Sequence, residues 1–380
     1  MEKVRLGDVA AVITKGTTPT SMGYEFVDSG INFIKIESIT EDGSFIADKF
    51  AYITDECNQK LSRSQLQEND ILFSIAGAIG RVAIVDGGIL PANTNQALAI
   101  IRVPKGIYEY NFLKYILKSP MISKQFEKQK QGVAQINLSL KNISDFEIPV
   151  ISLEQQKQIS FVLDKITDLI DNRKKQLEKL YELVKSRFVE LFGDRYINDR
   201  KWESKPLYEC ADFYNGKAHE QVVDENGEYI LVTSRCIASD ITDYRKTNEL
   251  LFPLRVNDIA MVMSDVPNGR ALAKCILIDE DNKYTLNQRI CCLRNYTLNP
   301  IFFYYLLNRH EYFLSFNDGN AQTNLRKDDL LACNIIVPPL EIQELFASFV
   351  EQTDKSKLEV QNSLEKLELL KNALMQKYFG

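Results

Sequence analysis

Three hundred and eighty residues, 45% apolar and 26% charged, make an ordinary globular composition with enough chain for two cores. This excludes a disordered, collagen-like or disulfide-scaffold protein. The formal net charge of −6 excludes binding of nucleic acid through an overall positive surface. Residues 1–150 carry 16 basic and 17 acidic side chains, 151–199 carry 9 and 9, 200–339 carry 16 and 19, and 340–380 carry 5 and 7. Any contact with DNA must therefore use local patches, or positive charge borrowed from a partner.

The first residues, MEKVRLGDVA, are charged where a secretion signal needs an apolar stretch, and no window approaches eighteen apolar residues. The seven cysteines are odd in number and form no C-x-x-C pair, which suggests neither a bridge framework nor a zinc ribbon. A cytoplasmic protein with no membrane partner is expected.

Residues 1–150 break at Gly, Pro, Asn and Asp into short apolar runs: INFIKI from Ile31, DILFSI from Asp70, RVAIV from Arg81 and ALAIIRV from Ala97. Runs this short, rich in β-branched residues, read as strands. IAGAIGR, Ile75–Arg81, reads as a tight turn, and Tyr110–Lys128 as a helix. Residues 151–193 follow Pro149 and reach Gly193 with neither residue type between, the punctuation of one helix. Residues 194–339 repeat the strand pattern as EYILV, DIAMVM, AKCILI and ICCLR, with a helix at Ile301–Phe316, and 340–380 form a second long helix after Pro339.

The two halves match in order at offsets of 187 to 201 residues. LQENDI, Leu66–Ile71, answers LRVNDI, Leu254–Ile259. Asn95, Gln96 and Arg102 answer Asn287, Gln288 and Arg294; GVAQINL from Gly132 answers GNAQTNL from Gly319; IPVISLEQQ from Ile148 answers VPPLEIQ from Val337. Such a period is too long for a solenoid and indicates duplication of a domain plus a helix. The predicted fold is α+β, a tandem repeat of two globular domains each followed by a long helix.

Steps of three and four along the helices give Leu163, Ile166, Ile170, Arg173, Leu177, Leu180, Val184, Arg187 and Leu191, and then Val350, Thr353, Lys357, Val360, Leu364, Leu367, Lys371, Leu374 and Tyr378. At 1.5 Å per residue each helix is about 60 Å long, too long to bury inside a small domain. The simplest arrangement pairs the two helices as an antiparallel coiled coil, with the four basic residues setting register or touching a partner.

Catalytic motifs are missing from the sequence: no phosphate-binding glycine loop, no G-x-S-x-G, no H-E-x-x-H and no amino-methyltransferase N/D-P-P-[FY]. His219 and His310 are the only histidines, so histidine catalysis and multi-histidine metal sites have little material. The chain reads as a binding protein with no catalytic residue, no metal and no cofactor of its own.

Two α+β domains each followed by a long helix, with N-D-I, T-N-Q or L-N-Q and G-x-A-Q-x-N-L phrases, resemble the DNA-specificity subunit of type I restriction-modification enzymes. The resemblance covers essentially the whole chain. It implies target recognition domains at 1–150 and 194–339, each reading half of a bipartite, asymmetric site in double-stranded DNA. It further implies coiled-coil helices at 151–193 and 340–380 that set the separation and dock two methyltransferase subunits. S-adenosylmethionine chemistry would lie in those subunits, and ATP- and Mg-dependent translocation and cleavage in restriction subunits. A coiled-coil adaptor for proteins, an orphan subunit exchanging its target domains, and an enzyme with unrecognised motifs are the alternatives.

Residues common to both repeats cannot tell different half-sites apart, so Asn95, Gln96, Gln135 and Asn137, with Asn287, Gln288, Gln322 and Asn324, are assigned to scaffold or phosphate contacts. Base readout should fall in loops that differ and carry hydrogen-bonding side chains. The candidates are Lys15, Thr17, Thr18, Arg63, Ser74 and Arg81 in the first repeat, and Lys217, His219, Arg235, Ser264, Asp265, Asn268 and Arg270 in the second. Arg81 and Arg270 are shared and are assigned to phosphate.

Overall fold

A computed structural model describes residues 2–127, 137–219, 221–265, 271–317 and 323–380. The chain forms two compact units, one of Met1–Lys174 with Asn362–Gly380 and one of Lys175–Gln361.

In the first unit a four-stranded antiparallel sheet runs in the order Val12–Lys15, Leu98–Arg102, Ile71–Ser74, Val82–Ile84. All four residues of Ile71–Ser74 are buried, and the alternation of a strand divides them between two cores. Ile71 and Phe73 join Phe112, Ile116 and Phe146 under the helices. Leu72 faces the other way, with Leu98, Ile100 and Ile34. That second core lies against a three-stranded sheet ordered Ala51–Ile53, Ile31–Ile34, Ala92–Thr94, whose last pair is parallel. A short ribbon pairs Lys3–Arg5 with Glu147–Pro149.

The second unit repeats this plan. Its four-stranded sheet is Asp212–Asn215, Ile290–Arg294, Ile259–Val262, Cys275–Leu277; its three-stranded sheet is Arg245–Thr247, Tyr229–Val232, Tyr284–Leu286. Ile259 and Met261 enter the helix-side core with Phe302 and Phe346, while Ala260 and Val262 enter the other. Cys291 and Cys292 divide the same way, which is why the adjacent pair is buried as two separate thiols. All eight apolar runs read as strands are strands, and the sequence reading missed the shorter ones, such as Ala51–Ile53 and Ala92–Thr94.

The single helices expected at Tyr110–Lys128 and Ile301–Phe316 are each two. Tyr110–Leu117 stops and Pro120–Glu127 begins anew, because Pro120 offers no backbone donor and disfavours helical geometry at Ser119. Pro300–Leu307 ends at Asn308, and Arg309 takes a positive φ of 55° before Glu311–Leu314. There Arg195 donates to the carbonyls of Tyr305, Leu306, Asn308 and Arg309 at 2.6 to 3.2 Å, supplying partners for the freed helix end.

The long helices are Leu153–Phe192 and Leu340–Phe379, and each unit contains part of both. In the first unit Leu163 and Phe379 share a core, Phe112 and Phe379 rings lie 5.5 Å apart, and Lys174 pairs with Glu368 at 3.7 Å. In the second, Phe188 meets Phe346 at 5.4 Å between rings, Arg187 stands over Phe349 and Lys357 over Tyr181. Rising numbers on one helix meet falling numbers on the other, so the helices run antiparallel within each unit. None of the thirteen stripe positions Leu163, Ile166, Ile170, Leu177, Leu180, Val184, Leu191, Val350, Val360, Leu364, Leu367, Leu374 and Tyr378 is exposed.

Candidate nucleic-acid interface

The repeated phrases build the frame that carries the variable loops. In N-D-I, Asn69 and Asn257 both sit at φ 68°, a left-handed conformation that asparagine tolerates. The following aspartate turns inward: Asp70 accepts the Gln67 amide and Asp258 the Arg255 amide, both at 2.8 Å. Each carboxylate then takes a two-pronged guanidinium from the neighbouring strand, Arg102 at 2.6 and 2.6 Å and Arg294 at 2.8 and 2.5 Å. Both aspartates are essentially buried, so the paired geometry is what makes a carboxylate tolerable there. Asp258's hydrogen bonds hold the Arg294 guanidinium above its ordinary range.

L-E-Q-Q and L-E-I-Q are the second fixed point. The buried Gln156 donates to the Ile151 carbonyl at 3.0 Å and accepts the Glu109 amide at 2.8 Å. Gln343 does the same with Pro338 at 2.7 Å and Asn299 at 2.8 Å. Glu109 and Asn299 in turn cap the helices Tyr110–Leu117 and Pro300–Leu307, so the start of each long helix is tied to the start of a domain helix. In the third phrase, the Leu138 amide donates to the Ile75 carbonyl at 2.9 Å and the Leu325 amide to Met263 at 2.7 Å. Gln135 and Gln322 lie outside the described residues, and Asn137 and Asn324 are exposed.

Two glycines not singled out in the sequence place the variable loops. A Cβ on Gly16 would stand 1.8 Å from the Thr94 carbonyl oxygen, and one on Gly216 would stand 2.1 Å from that of Asn287. Each loop that follows a first sheet strand therefore lies directly on the T-N-Q or L-N-Q turn, which is closed by Asn95 accepting the Ala97 amide and Asn287 accepting that of Arg289. The detectable signal was the alignment of the two glycines, each directly after a strand.

In the first unit this brings Lys15, Thr17 and Thr18 beside the turn, with the Thr18 hydroxyl donating to Gln96. Arg63 is exposed in the turn Ser62–Ser64, next to the strand Val12–Lys15. Ser74 is buried; it donates to the Ala78 carbonyl at 2.6 Å and accepts the Arg81 amide at 2.8 Å, closing the Ile75–Arg81 turn. Arg81 donates to the carbonyls of Ile36 and Ile39 at 3.2 and 2.8 Å. Ser74 is removed as a base contact, and Arg81 is held as a clamp on backbone.

In the second unit Lys217 is exposed and its backbone bridges Asn287. His219 is 1% exposed: its Nδ1 donates to the Lys217 carbonyl at 2.7 Å, so its Nε2 accepts from the Thr285 hydroxyl at 2.9 Å. It supports the loop from below and is removed as a base contact. Arg235 is exposed and bonds Asp243 at 2.5 Å. Ser264–Asp265 forms a ribbon with Thr323–Asn324, and the buried Ser264 hydroxyl has no hydrogen-bond partner among the described residues. Asn268 and Arg270 lie outside the described residues. Arg235, Asp243, Arg245, Asn287 and Arg289 line a cleft of about 310 Å³; Arg245 and Arg289 were not among the sequence candidates, because neither lies in a recognisable motif.

Among the described residues no helix is long and apolar enough to cross a membrane, and no group of three His, Cys, Asp or Glu could hold a metal. The family described as "Type I restriction modification DNA specificity domain" matches residues 1–182 and 199–369. The type I restriction enzyme MjaIX specificity subunit of Methanocaldococcus jannaschii is 25% identical, over 98% of this chain and 90% of its own. A solved chain from work on complex assembly and conformational transition of the type I R-M system superimposes with TM-score 0.64 at 17% identity, covering 100% of this chain and 97% of its own. A type I restriction-modification S subunit from M. genitalium gives TM-score 0.56 at 15% identity, covering 100% and 96%. These two solved structures share the tandem fold described above. Two matched copies of one frame, the family match across both and relatives named for specificity together make this chain a member of the type I restriction-modification DNA specificity family, a non-catalytic specificity subunit.

Proposed function

We propose that the chain reads a bipartite, asymmetric site in double-stranded DNA, one half through the loops of each unit. The observation that carries this is an invariant frame bearing unlike loops. Asp70–Arg102 and Asp258–Arg294 are the same device, yet the positions answering Glu37, Ala51 and Ala97 are Arg235, Arg245 and Arg289. Fixed scaffolding with changed hydrogen-bonding side chains is what two different half-sites require. Lys15, Thr17, Thr18 and Arg63 are the candidates retained in the first unit, and Lys217, Arg235, Ser264 and Asp265 in the second, with Asn268 and Arg270 outside the described residues.

The long helices fix the spacing of the half-sites and dock two methyltransferase subunits, one on each near-equivalent helical surface, with restriction and translocase subunits assembling around them. Exposed Phe161, Leu169, Leu358 and Leu369 on those helices support a protein-covered face. The chain itself uses no cofactor; S-adenosylmethionine, ATP and Mg belong to the partners, and the assembly works in the cytoplasm. A chain of net charge −6 binds DNA weakly on its own and gains affinity from its partners' positive charge. A salt-dependent titration with and without methyltransferase subunits tests this: the slope of log affinity against log salt should steepen in the complex. Tight sequence-specific binding by the isolated chain would overturn it.

A further inference from the structure

We propose that Arg235, oriented by Asp243, reads a guanine in the half-site bound by the second unit, and that Arg245 and Arg289 hold the adjoining phosphates. The inference rests on that unit's binding DNA, and it names which base and which side chain.

Arg235 lies in the first turn of the helix Ser234–Ala238, whose start is fixed by the Thr233 side chain accepting the Cys236 amide at 3.2 Å. Its Nε bonds the Asp243 carboxylate at 2.5 Å, while 71% of the side chain is exposed. An exposed ion pair contributes little to stability, so folding alone gives no reason for this arrangement. Asp243 is itself held: its amide donates to the Ser239 hydroxyl at 3.0 Å, and that hydroxyl donates to the Cys236 carbonyl at 3.0 Å. The carboxylate takes Nε and leaves both Nη groups without a partner among the described residues. What remains is a planar pair of parallel donors.

Two parallel donors match the O6 and N7 acceptors of guanine in the major groove, whereas adenine presents a donor beside its N7 and the pyrimidines offer a single polar group each. The cleft beside Arg235 supplies the rest of a nucleic-acid site. Arg245 and Arg289 line it, both exposed, and neither meets a carboxylate among the described residues. The Asn287 turn that closes it also carries Lys217 through its backbone bridge. Three arginines thus line one cleft, with Lys217 joined to its Asn287 turn through the backbone alone, in a protein whose overall charge is negative.

The register of the two units shows that this cluster is particular to the second. Phe33↔Ala51 answers Leu231↔Arg245, and Asn95 answers Asn287, so Ala51 and Ala97 stand where Arg245 and Arg289 do. Ile34 and Val232 end equivalent strands, which sets Glu37 against Arg235. Arg245 and Arg289 thus add phosphate contacts that the first unit lacks at the equivalent positions. An arginine replaced by glutamate in the other copy belongs to what distinguishes the halves.

The test uses the assembled complex with its methyltransferase subunits, reading modified bases over a random-sequence plasmid library for the unaltered chain and for R235A, R235K, D243N and the double variant R245A/R289A. R235A and R235K should lose preference at one position, guanine in the unaltered motif, by roughly tenfold or more, with the other half-site still read. R235K keeps the charge and removes the fork, and continued reading of the first unit's half-site certifies a folded complex. D243N should relax the same position by less. R245A/R289A should weaken binding to all sequences alike and reduce the salt slope by about two. An unchanged motif in R235A and R235K, or relaxation at a position that is not guanine, overturns the assignment. If the unaltered complex shows no sequence preference at all, the DNA-reading function itself fails, and that outcome is distinct from the other two.

Discussion

His310 shows how a residue's role follows from its surroundings. It is 1% exposed, and its Nδ1 accepts the Tyr312 amide at 3.2 Å, so the ring proton sits on the buried Nε2. Burial, with the nearby Arg195 guanidinium, pushes its pKa down to about 4. Above pH 6.5 the ring is neutral whether the chain is folded or not. Between pH 6.5 and 4 the unfolded chain takes a proton that the folded one refuses, so stability falls as pH falls, by up to about 2 kcal/mol at pH 5. H310N keeps a capping acceptor without a titrating ring, and urea unfolding at pH 7.5 and pH 5 should show that much less acid loss in the variant; equal losses would contradict the account. The same lesson covers Ser74 and His219, which as letters in a sequence look like polar loop residues. Ser74 is buried in closing its own turn with Ala78 and Arg81, and His219 is buried against Thr285, 66 residues further along the chain.

At the scale of elements, the long helices were legible because a stripe of Leu, Ile and Val at steps of three and four can do only one thing in water. The strands Ile71–Ser74 and Ile259–Val262 were legible as runs of three or four consecutive apolar residues, being buried on both faces. The strands Ala51–Ile53 and Ala92–Thr94 were not, since three residues give no periodicity. Loop placement was also hidden, because it depends on what a glycine lacks. G216A makes this testable: the new methyl group, 2.1 Å from the Asn287 oxygen, forces the Gly216–His219 loop off its turn. The second unit should lose about 1–3 kcal/mol, as for other overpacked sites, and the complex should lose discrimination in one half-site with unchanged helix content by circular dichroism. Full discrimination in G216A would mean that this loop is not positioned for DNA.

The whole molecule is a duplicated frame, and the duplication explains both what could be read from the sequence and what could not. Matching phrases located Asp70, Gln156, Asp258 and Gln343, which proved to be buried joints of the frame, together with Arg102 and Arg294, the half-buried partners of the two aspartates. The residues that carry specificity are those without a match, so repetition marks Arg235 only by default, and its cationic neighbours Arg245 and Arg289 emerged only once they were seen around one cleft with it. The average charge of −6 concealed that local gathering of arginines. The central claim, that this one chain sets one bipartite target, is tested most directly by modified-base sequencing of the source genome with the gene intact and deleted. The account predicts loss of a single two-part motif, methylated on both strands, with both half-sites disappearing together. An unchanged pattern of methylation in a strain that expresses the chain with its partners would contradict it.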